Sequence, residues 1–355
     1  LHRSPLFTGL ITGVGPRYCP SIEDKIHRFP DKDGHQIFLE PEGLDSDLVY
    51  PNGISTSLPK DAQEAFVRAV PGLEQVEFAA HGYAVEYDYV DPTECGPTLE
   101  TLRLPGLWLA GQICGTTGYE EAAGQGLVAG VNAARSARGG LPFVLARHEA
   151  YIGVLVDDLT TRGVEEPYRM FTSLAEHRLL LRHHDADVRL WPRARDLGLV
   201  DDARARATTA RVERRVAAKA LLQGTRTGGA PLFDALRRPD FGLDDAFAAA
   251  PGLDALDLDA RDREELLLEA RYSGYIAREL LQIERRAEAE ATALPGDLAY
   301  DEIPHLRIEA RDKLLRVRPA TIGQASRVSG VSPADVGALL VWLRQSATGC
   351  DEVSP

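Results

Sequence analysis

Apolar and polar positions follow different rhythms in the two parts of this chain. Up to about residue 140 the apolar runs are short and closely punctuated. Turn signals recur at Gly13-Val14-Gly15-Pro16, Asp33-Gly34, Pro51-Asn52-Gly53, Gly96-Pro97 and Pro105-Gly106. Between them, Gln36 to Leu39 and Tyr83 to Val90 have the β-branched and aromatic content of strands. Leu107 to Ala110 suits a short buried strand, and Lys60 to Val70 predicts a helix stopped by Pro71-Gly72. From about Phe143 the period changes to that of helices. Arg211 to Lys219 predicts a charged helix, and Asp262 to Leu281 a long amphipathic one. Gly, Pro and Asp punctuation between Gly224 and Pro251 joins helical pieces. The pattern therefore predicts an α/β front followed by an all-α C-terminal part.

Composition narrows the classes without choosing one. The 355 residues leave room for two or three domains, and 44% apolar with 26% charged residues is globular usage. No apolar run approaches the roughly 18 residues of a membrane-spanning helix, so no membrane partner is expected. The chain begins Leu1-His2-Arg3-Ser4, without an initiator Met or a secretory signal, which suggests a start inside a longer protein. A net charge of −14 argues against nonspecific coating of nucleic acid. Residues 1–140 hold 10 basic and 19 acidic side chains, leaving 30 and 35 for an Arg-rich, nearly balanced rear. Cys19, Cys95, Cys114 and Cys350 include no CxxC spacing, so no metal site is expected and reduced thiols in a cytoplasmic setting are the default.

Two stretches carry candidate chemistry. In Gly15-Pro16-Arg17-Tyr18-Cys19-Pro20-Ser21-Ile22-Glu23-Asp24-Lys25, Ser21 and Asp24 have capping-box spacing, so a short helix should start at Ile22. Its amides, with Arg17 and Lys25, could lower the Cys19 thiol pKa or hold a phosphate; a packed structural cysteine is the alternative. In the second stretch the Leu107 to Ala110 run enters a Gly/Thr loop from Gly111 to Gly118. The loop leads into a small-residue helix from Tyr119 through Gly130. Gly124, Gly126 and Ala129 spell GxGxxA, but inside a helix already begun, which excludes the dinucleotide fingerprint there.

Near the C-terminus, Ile322 to Val336 has helix–turn–helix spacing, with Ser332 capping and Pro333 opening the second helix. That helix, Asp335 to Leu343, has almost no side chains able to read base edges. A helical packing or docking module is expected rather than a DNA reader. The charged helix at 211–219 reads as a solvated face, with an RNA contact as the alternative.

Together these phrases resemble the MnmG/GidA family of tRNA wobble-uridine modification enzymes. One signature is Gly15 to Phe29, ending Ile26-His27-Arg28-Phe29. The other runs from Ala110-Gly111-Gln112 through Gly118-Tyr119-Glu120-Glu121 to Asn132-Ala133. Tyr275-Ile276-Ala277-Arg278 and Pro319 to Ser326 resemble the family's C-terminal domain. The resemblance implies FAD and NADH as cofactors, a homodimer, and a partner GTPase, MnmE. With it the family adds an aminomethyl or carboxymethylaminomethyl group to carbon 5 of the wobble uridine. It also implies that residues 1–140 are the C-terminal part of a Rossmann-like FAD/NAD-binding domain with an insertion. Residues 141–270 would be a first helical part, and 271–347 a subdomain docking the GTPase and tRNA.

By position, Gly15 to Phe29 would belong to the nicotinamide-binding region, with Cys19 as the candidate catalytic thiol. Gln112 would contact FAD, beside Gly118 and Tyr119. Two departures stand out. Cys114 occupies a position where the family pattern expects Asn, and no strand–GxGxxG–helix is present, so FAD binding by this chain alone should be weak. A different flavin- or nicotinamide-dependent oxidoreductase, or a non-catalytic tRNA- or GTPase-docking module, are the alternatives.

Overall fold

The computed structural model of the chain describes residues 1–10, 21–328 and 330–349, apart from the side chains of 285–291 and 346–349. The chain divides into two compact units. The first comprises 1–92, 109–126 and 164–169; the second comprises 93–108, 127–163 and 170 onward.

The first unit is built on α1 (Ile22–Arg28), a hairpin of β1 (Phe38–Pro41) and β2 (Val49–Asn52), and α2 (Lys60–Arg68). The α1 start is where the sequence puts it: the Asp24 amide donates to Ser21 Oγ at 3.2 Å. The hairpin is antiparallel, with Phe38 opposite Asn52. Ile22, Ile54 and Val67 form the core, flanked by Ile37, Phe66, Val76 and Phe78. That core is small, and Phe38, Leu39, Val49 and Tyr50 of the hairpin remain exposed.

Two expected strands do not form among the described residues. Residues 83–90 have no regular structure, and Tyr83, Val85, Tyr87 and Tyr89 are exposed. Residues 107–110 contribute one isolated bridge, Trp108 to Glu100, and Leu107 is exposed rather than buried. Both segments carry strand-like side chains, but a strand exists only where a second backbone satisfies its amides and carbonyls. The parallel ladder of a Rossmann-like sheet is accordingly not seen among the described residues.

The second unit is helical. In order come α3 (Tyr119–Ala137), whose first turns belong to the first unit, α4 (Tyr151–Arg162), the short α5 (Ala186–Arg189) and α6 (Trp191–Asp196), and the long α7 (Asp202–Gly224). A two-residue ribbon of β3 (Arg226–Thr227) and β4 (Ala230–Pro231) precedes α8 (Leu232–Ala235) and α9 (Leu243–Ala249). The 32-residue α10 (Ala260–Ala291) then leads to α11 (Ile308–Val317), α12 (Ile322–Arg327) and α13 (Pro333–Gly349). One core joins Ala218 and Leu222 of α7 to Leu232, Leu236, Ala246, Leu253, Leu266 and Ala270. A second joins Tyr300, Ile303, Leu314, Ile322, Ala325 and Leu339.

The charged helix α7 corrects the solvated-face reading. Its Arg211, Arg215 and Lys219 turn onto α10, where Asp262 and Glu265 are fully buried and Glu269 is half-buried. Arg211 Nε donates to Asp262 Oδ1 at 2.7 Å, and Arg182 Nη2 donates to Glu265 Oε2 at 3.2 Å. These cations are committed to intramolecular pairs.

The C-terminal helices form the packing module that the apolar second helix implied. Val336, Leu340, Trp342 and Leu343 of α13 pack on the terminal core. Ser332 and Asp335 cap α13 reciprocally, the Ser332 amide donating to Asp335 Oδ2 at 2.8 Å. Arg307 holds the Asp335 carboxyl well below the usual carboxylate range. The turn before α13 uses Gly330 at φ +93°. Among the described residues no helix is long and apolar enough to cross a membrane.

Candidate functional site

Of the first signature, Gly15, Pro16, Arg17, Tyr18, Cys19 and Pro20 lie outside the described residues. Ser21 to Phe29 are described, and they are occupied by structural contacts. Lys25 Nζ donates to the Gly53 carbonyl at 2.7 Å, so this cation is tied to the hairpin end. Arg28 Nε pairs with Asp24 Oδ1 one turn back at 3.0 Å. Glu23 is buried and accepts from the Ser57 amide at 3.0 Å and hydroxyl at 3.1 Å. The Ile22 amide donates to the Ser55 carbonyl at 2.7 Å. His27 stacks at a tilt on Phe7, and Lys32 lies over the exposed Phe29 ring. These contacts fix the α1 start to residues 53–57.

The second signature folds into a defined loop. The chain is extended at Ala110, turns through Gly111 at φ +76°, makes a 3-10 turn over Gly111–Cys114, and leaves through Gly115 at φ +81°. Both glycines occupy the left-handed region that a Cβ disfavours. Thr116 then bridges Tyr168 in parallel, and the Tyr168 amide donates to the Gly115 carbonyl at 2.8 Å. The Ile113 carbonyl accepts from the Val90 amide at 2.8 Å.

One side chain inside α3 holds this loop. Gln125 is fully buried. Its Oε1 accepts from the Gly111 amide at 2.7 Å and the Thr116 hydroxyl at 2.8 Å, and its Nε2 donates to the Cys114 carbonyl at 2.9 Å. Three points of the loop are thereby fixed to one helix position. Gln125 was not singled out from the sequence. The available signal was a lone amide between Gly124 and Gly126, where small neighbours bring the helix close to other backbone.

The same frame settles where the expected residues face. Gln112 is partly exposed on the 3-10 turn, beside Ile113, while Tyr119 projects with 92% of its surface exposed. Cys114 is fully buried and in no disulfide, so it forms part of the inner wall of the loop. Tyr89 donates its hydroxyl to the Val164 carbonyl at 3.2 Å. Partial burial of its hydroxyl end first, then the Asp91 carboxylate and Cys114, push its phenol up to about 12. It stays neutral at physiological pH.

The space beside Gly118 is filled by the ends of two charged side chains. A Cβ there would lie 1.8 Å from Glu121 Oε2 and 2.5 Å from Arg169 Nη1. Those two groups pair at 3.2 Å, with Glu121 only 4% exposed. Gly118→Ala is expected to displace the buried carboxylate from its partner and cost about 2 kcal/mol, read as a shifted urea midpoint with an unchanged slope.

Comparisons with known proteins bear on both units. Residues 1–140 match the family model described as glucose inhibited division protein A. Residues 195–280 match the tRNA modifying enzyme MnmG/GidA C-terminal helical domain, and 282–352 the C-terminal helical bundle of the same enzymes. The tRNA uridine 5-carboxymethylaminomethyl modification enzyme MnmG of Syntrophotalea carbinolica is 51% identical over 363 residues, 98% of this chain and 58% of that protein. The enzyme of the same name from Exiguobacterium sibiricum is 49% identical over 97% of this chain and 58% of its own length. The form I crystal structure of Aquifex aeolicus GidA superposes with a TM-score of 0.75 at 47% identity, covering 97% of this chain and 57% of that one. The chain thus spans a little under three fifths of the curated relatives it matches.

Proposed function

Since the chain belongs to the MnmG/GidA family, we propose that it serves as part of a tRNA-modifying enzyme acting at carbon 5 of the wobble uridine. The product class is the aminomethyl or carboxymethylaminomethyl uridine, formed together with a GTPase partner of the MnmE type. The supporting observation is the second signature folded as a rigid loop, Gly111 to Gly118, on a helix that Gln125 locks to it. Identity of 46–51% along nearly the whole chain to proteins of that name adds to it.

FAD is the cofactor proposed for this loop, and its parts fit unequally. The partly exposed Gln112 amide, which can both donate and accept, beside the apolar Ile113 suits the carbonyl and ring-nitrogen edge of a flavin ring. A pyrophosphate does not suit the α3 start, where the Glu120 and Glu121 carboxylates stand in the first turn. When held here, FAD would supply two-electron redox chemistry for a one-carbon transfer. The chain's own residues would orient the ring through Gln112, with Gly118 and Tyr119 beside it. Cys19 is proposed as the catalytic thiol. Residues from Gly15 to Phe29 are proposed to belong to an NADH site, with Lys25 spent on Gly53 rather than on the cofactor. The domain reading is 1–140 as the C-terminal part of a Rossmann-like cofactor domain, 141–270 as a first helical part, and 271–347 as a docking subdomain for tRNA and GTPase. A homodimer in the cytoplasm completes the proposal.

The test is genetic and chemical. The gene, in its natural coding context, is introduced into a bacterium lacking its own family member, and tRNA nucleosides are analysed by mass spectrometry. Return of the 5-substituted wobble uridine is expected, and its loss with Cys19→Ala. A restored tRNA pool with Cys19→Ala would remove that residue's role. Absence of the nucleoside with the wild-type gene would remove the reading itself. Titration of the 355-residue chain with FAD, followed by flavin fluorescence, is expected to show no stoichiometric binding.

A further inference from the structure

The long helix α10 carries two tyrosines where no core reaches them. Tyr272 is 44% and Tyr275 58% exposed, three residues apart on a helix whose earlier half is buried at Asp262, Glu265, Leu266 and Ala270. Their ring centroids lie 6.4 Å apart. Arg278 lies along the same face, its guanidinium 4.8 Å from the Tyr275 ring centroid and its Nε donating to the Gly274 carbonyl at 3.2 Å. Arg271 is exposed one turn before Tyr275. Gly274, between the rings, meets nothing within 4 Å if given a Cβ. A mid-helix glycine weakens a helix by about 1 kcal/mol relative to alanine, and no neighbour in the structure accounts for it.

Two carboxylates near this stripe are paired: Glu269 with Lys219, and Glu279, which shares the tyrosine face one turn after Tyr275, with His177 at 2.9 Å. Asp262 and Glu265 are fully buried against Arg211, Arg182 and Arg215. Among the described side chains, the exposed carboxylates of α10 are Glu264, seven residues before Arg271, and Glu284. By helical geometry Glu284 falls on the opposite side. The exposed Leu280 and Leu281 also fall outside the stripe, so its surface is aromatic and cationic rather than aliphatic.

We infer that Tyr272, Tyr275, Arg271 and Arg278 form a stacking platform for unpaired bases of single-stranded RNA. Flat exposed rings backed by guanidinium groups accept splayed bases and neighbouring phosphates, whereas a duplex keeps its bases stacked on one another. The inference rests on the proposed function only for the identity of the RNA, a tRNA anticodon loop.

The test is fluorescence anisotropy of the 355-residue chain with three labelled probes: an anticodon stem–loop RNA, oligo(U) and a fully paired RNA duplex. Tyr272→Ala combined with Tyr275→Ala is expected to weaken stem–loop and oligo(U) binding at least roughly tenfold and to leave duplex binding unchanged. Tyr275→Phe should bind as wild type does, because the ring is kept. Arg278→Gln should flatten the salt dependence. Circular dichroism should be unaltered, as the substituted side chains are exposed. Equal binding by wild type and the double alanine variant overturns the platform, and so does absence of RNA binding by the wild type. Loss of a GTPase contact with RNA binding intact overturns it in favour of a protein interface. Tyrosine-dependent binding of oligo(U) without the stem–loop upholds the platform and tells against the tRNA reading instead.

Discussion

Arg147→Met should cost about 3–5 kcal/mol of unfolding free energy, because it removes the guanidinium that Asp157, Asp158 and Glu176 share in a largely buried site. Arg147 is 8% exposed, and its guanidinium uses its whole fork. Nη1 donates to Asp158 Oδ1 at 2.7 Å and Asp157 Oδ2 at 2.9 Å, while Nε and Nη2 grip Glu176 at 2.8 and 2.9 Å. Nη2 also caps the Leu174 carbonyl at 3.0 Å. Asp158 is 3% exposed, and Arg162 also stands 3.5 Å from it. Methionine fills the space but leaves that charge in a poor medium. Arg147→Lys should recover only part of the loss, since an ammonium cannot grip Glu176 bidentately while also reaching Asp157 and Asp158. Urea denaturation at neutral pH measures both, and a variant within 1 kcal/mol (roughly the worth of one ordinary hydrogen bond) would contradict the argument.

The same network sets an acid-sensitive window. Burial alone would raise the Glu176 pKa, but the hydrogen bonds from Arg147 and its own backbone, with the Arg147 charge, outweigh it and lower the group from 4.5 to about 2. A depressed carboxyl stabilises the fold above its unfolded value. That stabilisation drains away as pH falls from about 4.5 to about 2. Glu176 is 45% exposed, so solvent screens the gain. In Arg147→Met this part of the acid response should disappear, leaving a flatter stability profile across that window.

Local grammar made several elements legible. The Ser21 and Ser332 starts, the glycine turn at 330 and the long helix around 262–281 all follow from spacing and capping chemistry within a few residues. What stayed illegible depends on partners far along the chain. Arg211 and Arg215 look solvated within their own helix; only the fold brings Asp262 and Glu265, 50 or 51 residues away, against them. Residues 83–90 and 107–110 have the side chains of strands, but side-chain alternation specifies an extended segment and not its ladder partner. Within the candidate site, Gln112 and Gly118 are expectations of the family resemblance, and the structure gives the contacts around them. Gln125, which fixes the loop, lies inside the signature but its partners Gly111, Cys114 and Thr116 are 9 to 14 residues away, and Arg169, which pairs with Glu121, lies 48 residues on.

Gln125→Leu is the substitution expected to disable the loop without touching an exposed residue. Leucine has nearly the same volume but neither the acceptor nor the donor. The Gly111 amide, the Thr116 hydroxyl and the Cys114 carbonyl would lose their common partner inside a buried site. Each orphaned group costs on the order of 1–3 kcal/mol, and their shared geometry keeps the sum below additivity, so a total of about 3 kcal/mol is expected. Because Gly111 and Cys114 bound the 3-10 turn, the position of Gln112 should blur with them. Hydrogen exchange would then quicken at the Gly111 and Thr116 amides, while the core around Leu222 and Leu266 stays protected. Gln125→Glu separates hydrogen bonding from packing. Protonated, it can still accept from Gly111 and donate to Cys114; ionised, it faces that carbonyl with a buried charge. Its folded pKa is therefore expected above the unfolded value of about 4.3, and stability should fall as pH rises past that value. A Gln125→Glu variant equally stable at pH near 5 and near 8, or a Gln125→Leu variant with unchanged exchange at Gly111, would show that the loop stands without this residue.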